Sequence, residues 1–219
     1  PQEYIWFALS GATFTAIFVF GIGSLGRGGA TPLKLVLAGA ATTAALSSLI
    51  TAVMIPRTFV MNQFRFWQVG SVGAGTWDSL LLLLPFLVVG ALVAIFCAPG
   101  LNALALGEEA ARGLGVKTGL LRFIAAMAGV ALCGSTTAVA GPIAFVGLLA
   151  THVIRLLLGP DLRFLIPMSA LSGAVILTGS DVIGRIIGSP GELEVGVVTA
   201  FVGAPLLILL AMKAKVRSI

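Results

Sequence analysis

A mean hydropathy of +1.12 over 219 residues, with 58% hydrophobic and only 10% charged positions, excludes a soluble protein built around one large core. Uncharged runs such as 35–56 and 79–107 are each long enough to cross a bilayer, which takes about 20 residues, so the chain reads as a polytopic helical membrane protein. The formal charge of +5 would suggest nucleic acid only if its distribution were ignored; that distribution points to membrane topology instead.

Pro1 is not expected to be the native start, and no basic n-region precedes the first apolar run, so no cleavable signal pattern is read there. The first span is predicted at about 4–25. It ends in GIGSLG, residues 21–26, which matches a dinucleotide fingerprint in letters but follows no strand and no βαβ unit, and so reads as a helix end and turn. Arg27 and Lys34 flank the next connection, and Pro32 suits the first turn of a second span at about 33–55. That span is dense in small and hydroxyl residues, GAATTAALSSLITA, with Thr43 and Ser47 among them, which implies close helix contact or the lining of a pathway. Residues 56–77 form the longest polar interval, where Arg65 stands among Phe64, Phe66, Trp67 and Trp77. An aromatic belt at the lipid headgroups accounts for this mixture, with a docking surface for an external partner as the sharper alternative. A third span, about 78–97, contains Pro85, a candidate kink.

Next comes LGEEAARGLGV, residues 106–116, two adjacent carboxylates and an arginine between long apolar runs. So polar a stretch must meet water. Glu108 precedes Arg112 by four residues, an orientation that supports a helix, and the repeated Leu-Gly at 106–107 and 114–115 brackets it with permissive residues. It is predicted to be a short surface helix between two spans.

Residues 123–151 stay uncharged for longer than one span needs, yet Gly141-Pro142 interrupts them, which predicts a full helix at about 119–140 and a shorter one at about 142–157. Broken helices at membrane depth are tolerated only against protein or a water-filled cavity, so GPIAFVGL, with Gly141, Pro142, Phe145 and Gly147, is a candidate pathway lining. His152, the single histidine, has no second ligand at metal spacing and reads as a helix-end or interfacial residue. Cys97 and Cys133 match no metal or redox spacing and read as buried thiols. After the turn Gly159-Pro160-Asp161, a span at about 164–187 carries the small pairs Ser169/Gly173 and Ala170/Ala174. Asp181, one turn before Arg185, is either a functional intramembrane acid or half of an i,i+4 pair near the interface. A loop with Glu192 and Glu194 leads to the last span, about 195–212, holding Gly203 and Pro205.

Seven spans put the chain's two ends on opposite sides. Arg27, Lys34, Arg112, Lys117, Arg122, Arg155, Arg163, Lys213, Lys215 and Arg217, ten of the thirteen Lys and Arg, share the side of the polar stretch, against Arg57, Arg65 and Arg185. The positive-inside rule then makes the polar stretch and the C-terminus cytoplasmic.

LGEEAARGLGV, AVAGPIAFVGLLATHVIRLLLGPDLRFLIPMSALSGA, GSDVIGR and PGELEVGVVTAFVGAPLLILL, in that order and spacing, resemble the FecCD-type permeases. These are the membrane subunits of bacterial ABC importers for iron-siderophore complexes, haem and cobalamin. The resemblance covers nearly the whole chain and roughly the last seven of the family's about ten spans; the first three have no counterpart in it. Thr151 stands before His152 where the family usually has Pro, which bears on local helix geometry. The resemblance implies an all-α transmembrane bundle of the type II importer class, one permease domain over 1–219 in the bacterial inner membrane. It implies a coupling helix at about 106–118, with Gly107, Glu108, Glu109, Ala110, Arg112 and Gly115 resting in a cleft of a separate ATPase subunit. Arg185 would meet an acidic residue of a binding protein. Thr43, Ser47, Gly141, Pro142, Phe145 and Gly147 would border a central pathway at a dimer axis. The implied partners are a second permease subunit, two cytoplasmic ATPase subunits, an extracytoplasmic substrate-binding protein and the lipid bilayer, with no nucleic acid. No cofactor is expected in this chain: ATP and Mg belong to the ATPase, and Gly115-Val116-Lys117-Thr118 lacks the GK[ST] order of a phosphate-binding loop. The chain is thus expected not to be an enzyme. Iron-siderophore complexes are the expected cargo, with haem or cobalamin as alternatives. An ion-coupled secondary transporter using Asp181 is the rival mechanism.

Overall fold

In a bilayer every backbone N–H and C=O must find a partner within the protein, so a chain this apolar is confined to helices. The computed structural model describes residues 3–25, 31–56, 58–73, 75–189, 191 and 193–216. Arg27, Arg57, Glu192 and Arg217 lie outside the described residues, and Lys213 and Lys215 outside the described side chains. Nine helices form among them: α1 (Glu3–Ser24), α2 (Pro32–Met54), α3 (Thr58–Val69), α4 (Trp77–Ala105), α5 (Glu108–Gly113), α6 (Thr118–Ala140), α7 (Val146–Leu158), α8 (Leu162–Ile187) and α9 (Val195–Val216). Helices α1, α2, α4, α6 and α8 are long and apolar enough to cross a membrane, while α7 and the Val195–Leu206 part of α9 are shorter apolar helices. These seven occupy the positions of the seven predicted spans.

Local chemistry sets several of the starts. The Thr31 hydroxyl accepts the Lys34 N–H at 3.4 Å and Pro32 opens α2, as predicted from its place; Thr76 caps α4 in the same way through Ser79 N–H at 3.3 Å. Gly21 and Gly23 of the GIGSLG stretch lie within α1, so no strand precedes them and the nucleotide reading has no support; Gly26 is outside the described residues.

Four expectations need correction. The interval 56–77 is not merely a polar connection but contains the twelve-residue helix α3. Its apolar and polar residues alternate around one helix, a periodicity masked by the Arg, Asn and Gln that make the stretch read as polar. The third span does not stop at 97: α4 continues to Ala105 through both Pro85 and Pro99. The short helix begins at Val146 rather than Pro142, leaving residues 141–145 without helical structure. Cys97 is buried as expected, but Cys133 is exposed, on the face of α6 turned to a cleft between α1, α2 and α6.

Helix α6 is the hub, packed on α4 and α1; α8 packs on α4, α7 and α9, and α2 packs on α1. The short α3 touches both α2 and α9, so contacts run in a closed circuit from α2 through α1, α6, α4, α8, α9 and α3. Lipid offers no hydrophobic drive between helices, so beside a few leucines such as Leu83 and Leu149 the interior is rich in small residues that let backbones approach. A Cβ on Gly90 of α4 would stand 2.9 Å from Leu132 Cγ of α6. The largest fully buried side chains are Val195, Thr199 and Ser135, and the Ser135 hydroxyl donates back to the carbonyls of Ala131 (2.6 Å) and Leu132 (3.0 Å). The large apolar residues face outward instead, Phe96 and Phe201 each 80% exposed, which suits a surface wetted by acyl chains.

Candidate functional site

Helix α5 stands outside the spans between the end of α4 and the start of α6. Gly107 (φ 115) and Gly115 (φ 80) supply the two backbone conformations that turn the chain out and back, the permissive role predicted for the repeated Leu-Gly. Glu108 holds the helix in place. Its Oε1 accepts from Arg112 at 2.6 Å, the predicted i,i+4 pair, and from the Thr118 hydroxyl at 3.4 Å, while Oε2 accepts from Arg122 of α6 at 3.2 Å. The Arg122 hydrogen bond and charge, helped by lesser effects of Arg112 and Thr118, hold the Glu108 carboxyl below its ordinary range against the opposing effect of desolvation. Ala111 is fully buried beneath the helix. What remains outward is Glu109, Ala110 and Arg112, flanked by Leu106 (75% exposed) and Leu114 (67% exposed). The adjacent carboxylates therefore differ: Glu108 is an internal strut and Glu109 faces out. Arg122 and Thr118 escaped the sequence reading because they lie fourteen and ten positions from Glu108, beyond any local pairing rule.

The same face is tied together a second time. Asp161, at the turn between α7 and α8, accepts from Asn102 Nδ2 at 2.6 Å and from Arg163 N–H at 2.9 Å, and Asn102 Oδ1 accepts the Leu162 N–H at 3.0 Å. The backbone N–H of Arg163, then Asn102, lower the Asp161 carboxyl from its ordinary range. This clasp sets the α7–α8 turn beside the end of α4, so the turn and α5 share one face, as the count of basic residues required. His152 is exposed on α7, three residues from Arg155.

On the opposite face the Asp181–Arg185 pair forms at 2.9 Å, with Arg185 half exposed and the Asp181 side chain 25% exposed. The loop at Gly73 runs alongside, since a Cβ there would lie 3.6 Å from the Arg185 guanidinium.

Near this opposite face, just past the end of α6, lies the break at 141–145. Part of its backbone is paired locally, with Gly141 N–H donating to Thr137 O and the Ala144 and Phe145 carbonyls accepting from Val146 and Leu149 N–H, each at 2.9 Å; the flanking segments are tied by Ser71 N–H to Ala140 O at 2.8 Å and Gly196 N–H to Gly70 O at 3.2 Å. Three glycines make this possible. A Cβ on Gly141 would land on the Trp67 carbonyl oxygen, one on Gly196 on the Val69 carbonyl, and one on Gly70 within 2.9 Å of the Pro142 carbonyl. The end of α3, the break and the start of α9 thus meet backbone to backbone. Phe145 takes φ 68, a left-handed conformation that costs a non-glycine residue about 1 kcal/mol, and a Cβ on Gly203 of α9 would collide with it. An apolar cavity of about 420 Å³ adjoins the break, lined by Leu83, Thr136, Gly141, Ile143 and Leu177 among others.

Of the residues expected at the pathway, Gly141 is buried, Phe145 partly buried, and Pro142 and Gly147 exposed. Thr43 and Ser47 are exposed on α2, which packs on α1 and α3 rather than on α7. This chain therefore does not bring the two sets together. Gly70 and Gly196, essential to the node, were missed because nothing in their own neighbourhood announces a contact more than sixty positions away.

The model of the FecCD transport family matches residues 1–213. Over 213 residues the chain is 41% identical to the Probable siderophore transport system permease protein YfiZ of Bacillus subtilis (strain 168), covering 97% of this chain and 64% of that protein. It is 40% identical to the ferric enterobactin transport system permease protein FepD of Escherichia coli (strain K12), again over 97% of the chain and 63% of the relative. A solved structure described as an inward-facing conformation of a metal-chelate type ABC transporter superposes with a TM-score of 0.82 at 28% identity, over 92% of this chain and 65% of that one. The chain thus spans somewhat less than two thirds of the length of these relatives.

Proposed function

Because the chain belongs to the FecCD transport family, we propose that it is the membrane-spanning permease part of an ABC importer for iron-siderophore complexes, moved between inward- and outward-open states by a separate ATPase. It is a multi-pass membrane protein, and its relatives are named for siderophore, enterobactin and citrate iron transport.

The observation that carries the mechanism is the pose of α5. Strutted by Glu108 to α6 and footed on buried Ala111, it cannot swing freely, so a force applied to its outward side is passed to α4 and α6. Exposed Leu106 and Leu114 around Glu109 and Ala110 form the apolar patch with a charged centre that a protein partner would cover. We assign Gly107, Glu108, Glu109, Ala110, Arg112 and Gly115 to ATPase coupling on the cytoplasmic side, with the C-terminus on that side, and ATP and Mg to the partner. Two ATPase subunits, a second permease subunit and an extracytoplasmic binding protein complete the assembly. Arg185 on the outer face is the proposed docking contact for the binding protein, and Thr43, Ser47, Gly141, Pro142, Phe145 and Gly147 the proposed pathway border. Thr43 and Ser47 can reach that border only across a second permease subunit, which supports a dimeric pathway. The break, with its cavity and its strained Phe145, supports movement at this level.

The test is uptake of a ferric chelate into vesicles containing the assembled complex. Uptake that needs ATP inside and survives collapse of ion gradients supports the importer. Uptake that persists without ATP and collapses with the gradient would assign the work to Asp181 as a coupling acid instead.

A further inference from the structure

On the outer face, α2 and α3 enclose a cavity of about 140 Å³ lined by Ser47, Thr51, Arg65 and Gln68, with Met54, Met61, Phe64 and Ile50 completing the wall. Its lining combines a charged side chain, an amide and hydroxyls, whereas the cavity beside the break is almost wholly apolar. The Arg65 guanidinium, the Gln68 amide and the Ser47 hydroxyl have no partner among the described residues. Thr51 donates its hydroxyl to the Ser47 carbonyl at 2.8 Å and so keeps only acceptor capacity. Free donors therefore outnumber free acceptors, and one of them carries a full charge. A guanidinium presents its N–H groups as a planar fork that matches the two oxygens of a carboxylate. A cation on a wall facing the acyl chains would be costly, so on the importer reading this side of α2 and α3 is set toward water at the level of the outer interface. The cavity is too small for a whole metal chelate, since pockets that bury drug-sized ligands run from about 300 Å³ upward, but it admits one anionic arm.

We propose that this α2–α3 cavity is a selectivity subsite for the anionic, carboxylate-bearing arm of an iron chelate, with Arg65 as the charge-reading residue and Gln68 and Ser47 as orienting donors. This rests on the importer reading above and adds a substrate class to it: anionic iron chelates over neutral ones. The subsite is well placed to sense cargo. Phe64 and Trp67 stack at 5.7 Å on the same helix, and the Trp67 carbonyl is the atom against which Gly141 of the break is pressed.

The experiment compares two probes, ferric citrate and a neutral ferric trihydroxamate, in phosphatidylcholine proteoliposomes holding the full-length permease with its ATPase and binding protein. Arg65→Gln should raise KM for ferric citrate about tenfold with kcat little changed, and leave trihydroxamate uptake within about twofold. Arg65→Lys, which keeps the charge but not the fork, should recover part of the loss, and the retained trihydroxamate uptake of the Gln variant shows that this variant is folded. Equal losses for both probes, no loss for citrate, or a wild-type complex that carries the trihydroxamate but not citrate would each overturn the subsite while leaving the importer intact. So would an effect of Arg65→Gln that appears only when phosphatidylglycerol is added, because the partner of Arg65 is then a lipid headgroup phosphate. A wild-type complex that moves neither chelate with ATP present defeats the importer reading itself.

Discussion

The α5 face and the glycine node on the opposite half of the bundle hold the chain together by contrary means. At α5 a carboxylate gathers Arg112, Arg122 and Thr118 in a partly wet setting. At the node, three backbones meet because Gly70, Gly141 and Gly196 have no side chain to hold them apart. The first is a charge arrangement that water and salt weaken, and it can be adjusted in small steps. The second is steric and tolerates almost nothing. A coupling element benefits from the first property, and a helix break inside a membrane requires the second, since each unpaired backbone group there costs several kcal/mol.

The contrast is broken most severely at the node. Gly196→Val would force α9 off the Val69 carbonyl and cost at least about 3 kcal/mol, seen as lost membrane-inserted protein or a collapsed unfolding temperature in detergent. Gly107→Val, at a glycine with φ 115 but nothing within 4 Å, should be milder, about 2 kcal/mol, because only backbone strain opposes it. Unequal cost at these two glycines separates steric contact from conformational freedom. At α5, Arg122→Gln should loosen the helix more than Arg112→Gln, because Arg112 is 67% exposed and Arg122 only 29%. Limited proteolysis across 106–118 should accelerate several-fold for the first and barely for the second. The smallest effect concerns pH. Glu108 titrates below its ordinary value of 4.5 in the folded protein, so its contribution is complete above 4.5 and is lost as pH falls through the lowered value. Protease resistance of this connection should hold at neutral pH and decline only below 4.5, and Glu108→Gln should remove that decline.

Much of this was legible in order along the chain. The spans were readable because uncharged length is a direct physical requirement of the bilayer, and α5 because charge inside an apolar chain must find water. The Glu108–Arg112 pair followed from helical spacing alone. The start of α7 was misplaced by four residues because Pro142 fits a first helical turn as well as an extended strand, and only the contact with Trp67 decides between them. Helix α3 was hidden because its polar face resembles a loop in composition. Arg122, Asn102, Gly70 and Gly196 act through tertiary contacts, for which a single sequence holds no local signal.

The central claim is that the outward side of α5 receives force from an ATPase, and Glu109 tests it cleanly because, unlike Glu108, it is exposed and outside the strut. The measurement is the ratio of chelate uptake to ATP hydrolysed in proteoliposomes carrying Glu109→Arg. That ratio should fall at least about tenfold while inserted protein and the α5 protease pattern stay at wild-type levels. An unchanged ratio at low salt would contradict the coupling role and leave α5 as a structural connection between two spans.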